Sequence, residues 1–189
     1  MKLLNLIFPL IVLLFSNMAF AQKAEVNTDK SNIEWLGKKI GGQHNGNIDI
    51  KSGYLELNNN AIVAGEFVID MTTITNEDLK NETYNQKLVG HLKSDDFFGV
   101  ANYPTAKFVV VKSSVDKNGK TIVTGDLTIK NKTEQISFET MVSGKTFTSK
   151  IEIDRSKFDV KYGSNSFFDN LGDKAIEDMF TLDITLVLN

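Results

Sequence analysis

The 189-residue chain has no cysteine, two prolines, two histidines and one tryptophan. The missing thiols exclude a disulfide framework, thiol catalysis, a cysteine zinc site and a lipid-modified cysteine. Arg155 is the sole arginine, and the net charge is −3. No basic stripe is present to neutralise phosphates, which excludes a nucleic-acid binder of the usual kind. The chain also lacks the glycine-flanked serine of the hydrolase elbow, the dinucleotide fingerprint and the phosphate-binding loop.

One apolar run stands at the start. Lys2 precedes Leu3–Phe15, which Asn5 and Pro9 interrupt, and Ala19-Phe20-Ala21 has the small-x-small form of a cleavage site. The run is shorter than the ~20 residues of a membrane span. We therefore expect a signal peptide over 1–21, a single mature domain over 22–189, and export to the periplasm or beyond. No stable membrane span is expected once the leader is cleaved.

The mature chain alternates. Val123, Gly125, Leu127 and Ile129 take one face of a segment; Thr124, Asp126, Thr128 and Lys130 take the other. Ile136, Phe138 and Val142 alternate with Gln135, Ser137 and Glu139. Phe147, Ile151 and Ile153 do the same, as do Phe180, Leu182, Ile184, Leu186 and Leu188. Period two gives each strand one dry and one wet face. The phase slips near Ser52-Gly53, which predicts a bulge. Phe108–Val111 is apolar throughout and predicts a strand covered on both faces. Eight strands follow, at about 31–39, 44–57, 61–71, 105–115, 120–130, 133–143, 146–155 and 179–188. Short polar turns make neighbours antiparallel. Nothing else in the chain is large enough to cover eight apolar faces, so they face one another. That predicts an all-β fold, an eight-stranded antiparallel barrel. Gly65 and Gly125 at inward positions suggest interior room.

Thr72–Tyr103 breaks the alternation. Tyr84, Leu88, His91, Leu92 and Asp95 share one helical face, which predicts a helical excursion between the third and fourth strands, over one barrel end. Asp95 and Asp96 are adjacent and diverge on a helix, so they cannot flank a substrate as an acid–base pair. Ser94 is a candidate cap for a following turn. His44, His91 and Asp95 form the one conceivable metal set, for a metal-assisted hydrolase. Arg155 reads as a partner of a nearby carboxylate or as a contact at a cavity mouth.

Three stretches together carry a resemblance: "GHLKSDDFFGVANYPTAKF" (90–108), "VTGDLTIKNKTEQISFE" (123–139) and "IEIDRSKFDV" (151–160). Their order and spacing resemble the YceI-like family of exported bacterial lipocalin-like proteins over about residues 28–188. The family pattern runs H-L-x-S-x-x-F, Y-P-x-A-x-F, G-D-L-T-[IL]-x-x-x-T and D-F-x-[VI]. "SNIEWLGKKIGGQHNGNIDIKSGYLEL" (31–57) is similar to its first hairpin. Gly99 stands where many members carry Asp or Asn.

The resemblance implies a lipocalin-like barrel around an apolar tunnel and a polyisoprenoid ligand, a prenyl phosphate or a quinone-like lipid. It transfers no catalytic residue. The inward set would be Trp35, Phe67, Ile69, Leu127, Ile129, Phe138, Ile151, Ile153, Leu182 and Ile184. Leu88, His91, Leu92, Phe97 and Phe98 would form a lid. His44, Lys38, Lys39 and Arg155 would meet a head group. No metal and no further cofactor is required on this reading. A homodimer stays open, as does a solid barrel with a structural or stress-related role.

Overall fold

The computed structural model describes residues 21–59, 61–117 and 120–189. The expected leader lies outside them, apart from Ala21. Nine strands and one α-helix follow in order: β1 Gln22–Glu25, β2 Asn32–Lys39, β3 Gly42–Asn58, β4 Ala61–Asp70, α1 Glu82–Lys93, β5 Thr105–Val115, β6 Thr121–Ile129, β7 Lys132–Ser143, β8 Thr146–Asp154 and β9 Met179–Val187. The strands hydrogen-bond in the order β1-β3-β2-β9-β8-β7-β6-β5-β4, and β3 also pairs with β4. That last pairing closes β2–β9 into an eight-stranded antiparallel barrel. Strand β1 is an addition that pairs with the far half of β3, Tyr54–Leu57.

Alternation puts the core inside. Ile33, Ile48, Ile50, Leu55, Phe67, Val123, Leu127, Phe147, Ile151 and Ile153 are buried residues of the barrel wall. Besides a shift between Glu56 and Leu57 near the end of β3, two register shifts bend the wall. One lies between Ile50 and Ser52 of β3, where the apolar phase slips. The other lies between Val110 and Lys112 of β5. It corrects the reading of Phe108–Val111 as covered on both faces: Val111 is the extra residue and is 50% exposed. Such bulges sharpen the local twist that barrel closure needs.

The inward glycines do not open space. A Cβ on Gly125 would collide with the Phe108 ring, and one on Gly65 would stand 2.7 Å from Leu55 Cδ2. Neighbouring large side chains lie across both glycines, so their role is close packing rather than room. Val142, expected inward, is 44% exposed at the β7–β8 turn, while Thr140 is buried instead. The wall ends at that turn, so parity no longer implies cover.

Helix α1 is shorter than the helical spacing suggested. Asn81 caps it by accepting from the Tyr84 N–H at 3.2 Å. Ser94 ends it, its hydroxyl donating back to the His91 carbonyl at 2.8 Å. That hydroxyl therefore closes α1 rather than capping the following turn. Leu92 is the buried residue of the helix; Tyr84 is 62% exposed, because the first turn projects past the barrel rim, and Asp95 lies beyond the last turn. No helix among the described residues is long and apolar enough to cross a membrane.

Candidate functional site: an apolar tunnel under a lid

Two cavities occupy the barrel. A deep chamber of about 100 Å³ is walled by side chains from β2 to β9, and a lid chamber of about 120 Å³ lies toward α1. Each approaches the ~150 Å³ of an apolar cavity that stays dry and takes a benzene-sized guest. Ile33, Ile69, Leu127, Ile153 and Leu182 line both. The two chambers are thus adjacent, and those five residues stand where they meet.

The structure places all ten expected inward residues on these chambers. Phe67, Phe138, Ile151 and Ile184 line the deep chamber; Trp35 and Ile129 line the lid chamber; Ile69, Leu127, Ile153 and Leu182 line both. Phe108 lies between Phe67 and Phe138, with ring centroids at 6.4 and 5.5 Å. Two polar side chains were missed. Thr140 and Ser149 line the deep chamber from β7 and β8. They occupy inward parity positions, but a hydroxyl there gives no apolar signal to count.

Of the lid set, Leu92, Phe97 and Phe98 line the chamber, and Leu88 packs on the core as a partly buried residue. Phe97 and Phe98 meet edge to face at 5.1 Å. Lys130 ties the lid down, donating to the Phe97 carbonyl at 2.9 Å and to that of Asp159 at 3.1 Å. His91 sits between rings, with its centroid 4.4 Å from that of Tyr162 and 5.8 Å from that of Phe97. Its Nε2 is buried without a hydrogen-bond partner among the described residues.

The proposed head-group set is dispersed. Arg155 is 2% exposed rather than standing at a mouth. Its Nε donates to the Glu177 carbonyl, one terminal nitrogen to Val160 and Tyr162, and the other to Ile176, at 2.8–3.1 Å. The second terminal nitrogen also lies 3.3 Å from Asp178 Oδ1. Its guanidinium lies 5.4 Å from the Phe97 ring centre. With its donors engaged, Arg155 pins the 155–178 segment against the lid and has little left for a ligand. Burial lowers its pKa, opposed by Asp178 and Asp154; a guanidinium stays charged regardless. Lys38 and Lys39 are exposed on the β2–β3 hairpin.

His44 belongs to a different structure, a strap over residues 71–79. Its Nδ1 lies 2.8 Å from Asp78 Oδ2, and Asp78 Oδ1 accepts from the Asn45 N–H at 3.0 Å. Asn76 donates to the Asn45 carbonyl and to Asp78. The Trp35 indole donates to the Thr75 carbonyl at 3.0 Å. A Cβ on Gly46 would collide with that carbonyl, so only glycine lets the strap lie this close. His44, His91 and Asp95 are not brought together: no group of three or more acidic or imidazole side chains suited to a metal occurs among the described residues. Asp95 instead accepts from Asn102.

The match to known proteins decides the family. The model of the YceI-like domain matches residues 25–188. The chain belongs to the YceI-like family. Among curated proteins, a UPF0312 protein of Shewanella denitrificans is 36% identical over 55 residues, 29% of this chain and 29% of that relative's length. Among solved structures, Burkholderia cenocepacia BcnA is 24% identical, with a TM-score of 0.68 over 87% of this chain and 99% of that one. A polyisoprenoid-binding domain from Saccharophagus degradans, implicated in plant cell wall breakdown, is 13% identical, with a TM-score of 0.58 over 88% and 97%. The Campylobacter jejuni YceI protein is 20% identical, with a TM-score of 0.54 over 100% and 99%. At these identities the structural likeness establishes the YceI-like fold.

The strap predicts an acid response. Burial works against the Asp78 charge, but the Asn45 N–H, His44 and Asn76 outweigh it and hold the carboxyl below its ordinary value. The Thr72 hydroxyl and N–H lower Asp70 at the strap's start, against a smaller effect of burial. A depressed native pKa contributes stability above the unfolded value of ~4, and that contribution is lost as pH falls through the folded value. Trp35 emission and amide exchange in 71–79 should therefore change below about pH 4 before global unfolding. Asp78→Asn should flatten that pH dependence; an unchanged slope would show that Asp78 does not hold the strap.

Proposed function

We propose that this protein is a periplasmic carrier that holds an isoprenoid lipid, a polyprenyl phosphate or a quinone-like molecule, in its barrel without acting on it chemically. The observation that carries the proposal is the pair of adjoining chambers inside the barrel, lined by apolar side chains except for Thr140, Ser149, Arg155 and Glu177. A prenyl chain gains about 0.8 kcal/mol per buried CH₂ before the cost of ordering it, and needs few polar partners. Two apolar chambers in series suit a long thin guest better than a compact one. Family membership and the polyisoprenoid-binding description of the Saccharophagus relative point the same way. The two chambers also speak against a solid barrel, and the dispersal of His44, His91 and Asp95 speaks against a metal hydrolase built on them.

Trp35, the sole tryptophan, lines the lid chamber and reports occupancy directly. Titrating lipid-stripped protein with geranylgeraniol and with geranylgeranyl phosphate should shift and saturate its emission for at least one of them. A response to neither, with a short fatty alcohol equally silent, would remove the carrier reading.

A further inference from the structure

We propose that the isoprenoid chain enters sideways, through a slit between β7 and β8, and leaves an uncharged polar head beside Thr140 and Ser149. This rests on the carrier reading above and narrows its ligand to an alcohol or quinone rather than a phosphate.

The wall has one weak joint. β7 and β8 pair only through Met141–Ser143 and Thr146–Thr148. Every other joint of the barrel runs for five residue pairs or more. β7 meanwhile stays paired to β6 back to Lys132, and β8 to β9 up to Asp154. Beyond Met141 and Thr148 the two strands share no ladder pair. The slit is bounded by the β7–β8 turn at one end and by the short helix Arg155–Phe158 with the Lys132–Asp159 contact (3.6 Å) at the other. About five residues of each strand face it, or ~17 Å at 3.4 Å per residue. Ile136 and Phe138 point inward beside it yet are only half-buried, whereas Val123 and Leu127 across the β6 ladder are buried. An outer groove of about 390 Å³ runs along β8 and β9, and Ser149 and Ile184 line both that groove and the deep chamber.

Among the described residues, both barrel ends are covered by buried apolar side chains. Leu92 and Phe97 seal the lid end, and Leu55, Ile62, Val123 and Phe147 are buried at the other. Opening the lid must expose large apolar side chains and break the Lys130 bonds. Widening the slit breaks no ladder hydrogen bond over its length, so it is the softer deformation.

The polar groups fix the head. The Ser149 hydroxyl makes no hydrogen bond among the described residues, and the Thr140 hydroxyl donates to the Thr148 carbonyl while keeping its lone pairs. The groove outside carries Glu34, Glu139 and Asp183; Lys150 pairs with Asp183 at 3.2 Å and Lys120 with Glu139 at 2.6 Å, which leaves the Glu34 charge in excess. That excess of negative charge disfavours a phosphate and leaves a hydroxyl or carbonyl head unopposed.

The chain has no cysteine, so two can be introduced cleanly. Continuing the β7–β8 register places Ser137 opposite Glu152, and both are exposed. Ser137→Cys with Glu152→Cys, joined by a short bis-maleimide, should slow geranylgeraniol uptake at least tenfold by Trp35 emission. Cross-linking after loading should trap the alcohol on dilution. The same linker across Asp96→Cys and Lys161→Cys, which share the groove beside the lid, should leave uptake within twofold. Ser149→Ala should weaken geranylgeraniol two- to tenfold, the worth of one hydrogen bond, and geranylgeranyl phosphate should bind more weakly than the alcohol throughout. Unchanged uptake with the slit cross-linked, or slowing by the lid cross-link alone, overturns the lateral route. Tighter phosphate binding overturns the uncharged head. Failure of the uncross-linked protein to take up either probe removes the carrier reading, and this proposal with it.

Discussion

Replacing Arg155 with Met should lower stability by about 3–5 kcal/mol, the cost of removing one partner from a buried charged network. For a chain of this size that is a Tm lower by on the order of 10 °C. Four carbonyls, of Val160, Tyr162, Ile176 and Glu177, lose their donor at once. The methionine fills much of the volume, so the loss is one of hydrogen bonds more than of packing. Arg155→Lys should recover little, because a single ammonium cannot span carbonyls arranged around a planar fork. The same substitution should loosen the 155–178 segment and, through the Phe97 contact, the lid. Amide exchange localises this: Gly163–Ile176 should lose protection before the β6–β7 ladder does. A Tm within 2–3 °C of the parent, less than ~1 kcal/mol, would mean that water satisfies those carbonyls as well as the guanidinium.

A second large effect is expected where the chambers meet. Leu182 lies on β9 between Trp35 and Ile151 and lines both chambers. Leu182→Trp should block the passage between them. Binding of any chain longer than one chamber should weaken by tenfold or more, a loss of at least 1.4 kcal/mol. Stability should stay within about 1 kcal/mol, because the added ring enters space that is already there. In a solid barrel the same change overpacks the core and costs about 1–3 kcal/mol. Chemical denaturation of the stripped protein therefore separates a tunnel from a filled core, independently of any ligand.

Most of the barrel was legible in the sequence because each strand has one wet face. Alternation reports which face is dry, so the ten inward positions from Trp35 to Ile184 could be read by parity. Parity does not report which strand pairs with which, or for how long. β7 and β8 alternate as well as their neighbours, yet their ladder stops at Met141–Thr148, and nothing in either strand announces it. β1 was missed because four residues, Gln22–Glu25, are too few to show a period. The bulge at Ser52 was visible as a phase slip. The one at Val111 was hidden, since every residue from Phe108 to Val111 is apolar and a shift leaves no mark.

The site divides the same way. Leu92, Phe97 and Phe98 at the lid were visible as apolar residues in a stretch that otherwise reads as solvated. Arg155 was misplaced because its partners lie in 160–177, an irregular segment without periodicity, and only the folded chain brings those carbonyls together. His44 and Asp78 are 34 residues apart and meet only because the strap crosses β3 at Gly46. Thr140 and Ser149 were passed over because a hydroxyl at an inward position looks like an interruption, when it is the polar part of the wall.

Native mass spectrometry of gently purified, full-length-expressed protein tests the central claim most directly. The protein should carry additional discrete mass, released on denaturation as an isoprenoid lipid, and Leu182→Trp should carry less of it. Protein mass alone, both as purified and after incubation with a bacterial lipid extract, would contradict a lipid-holding barrel.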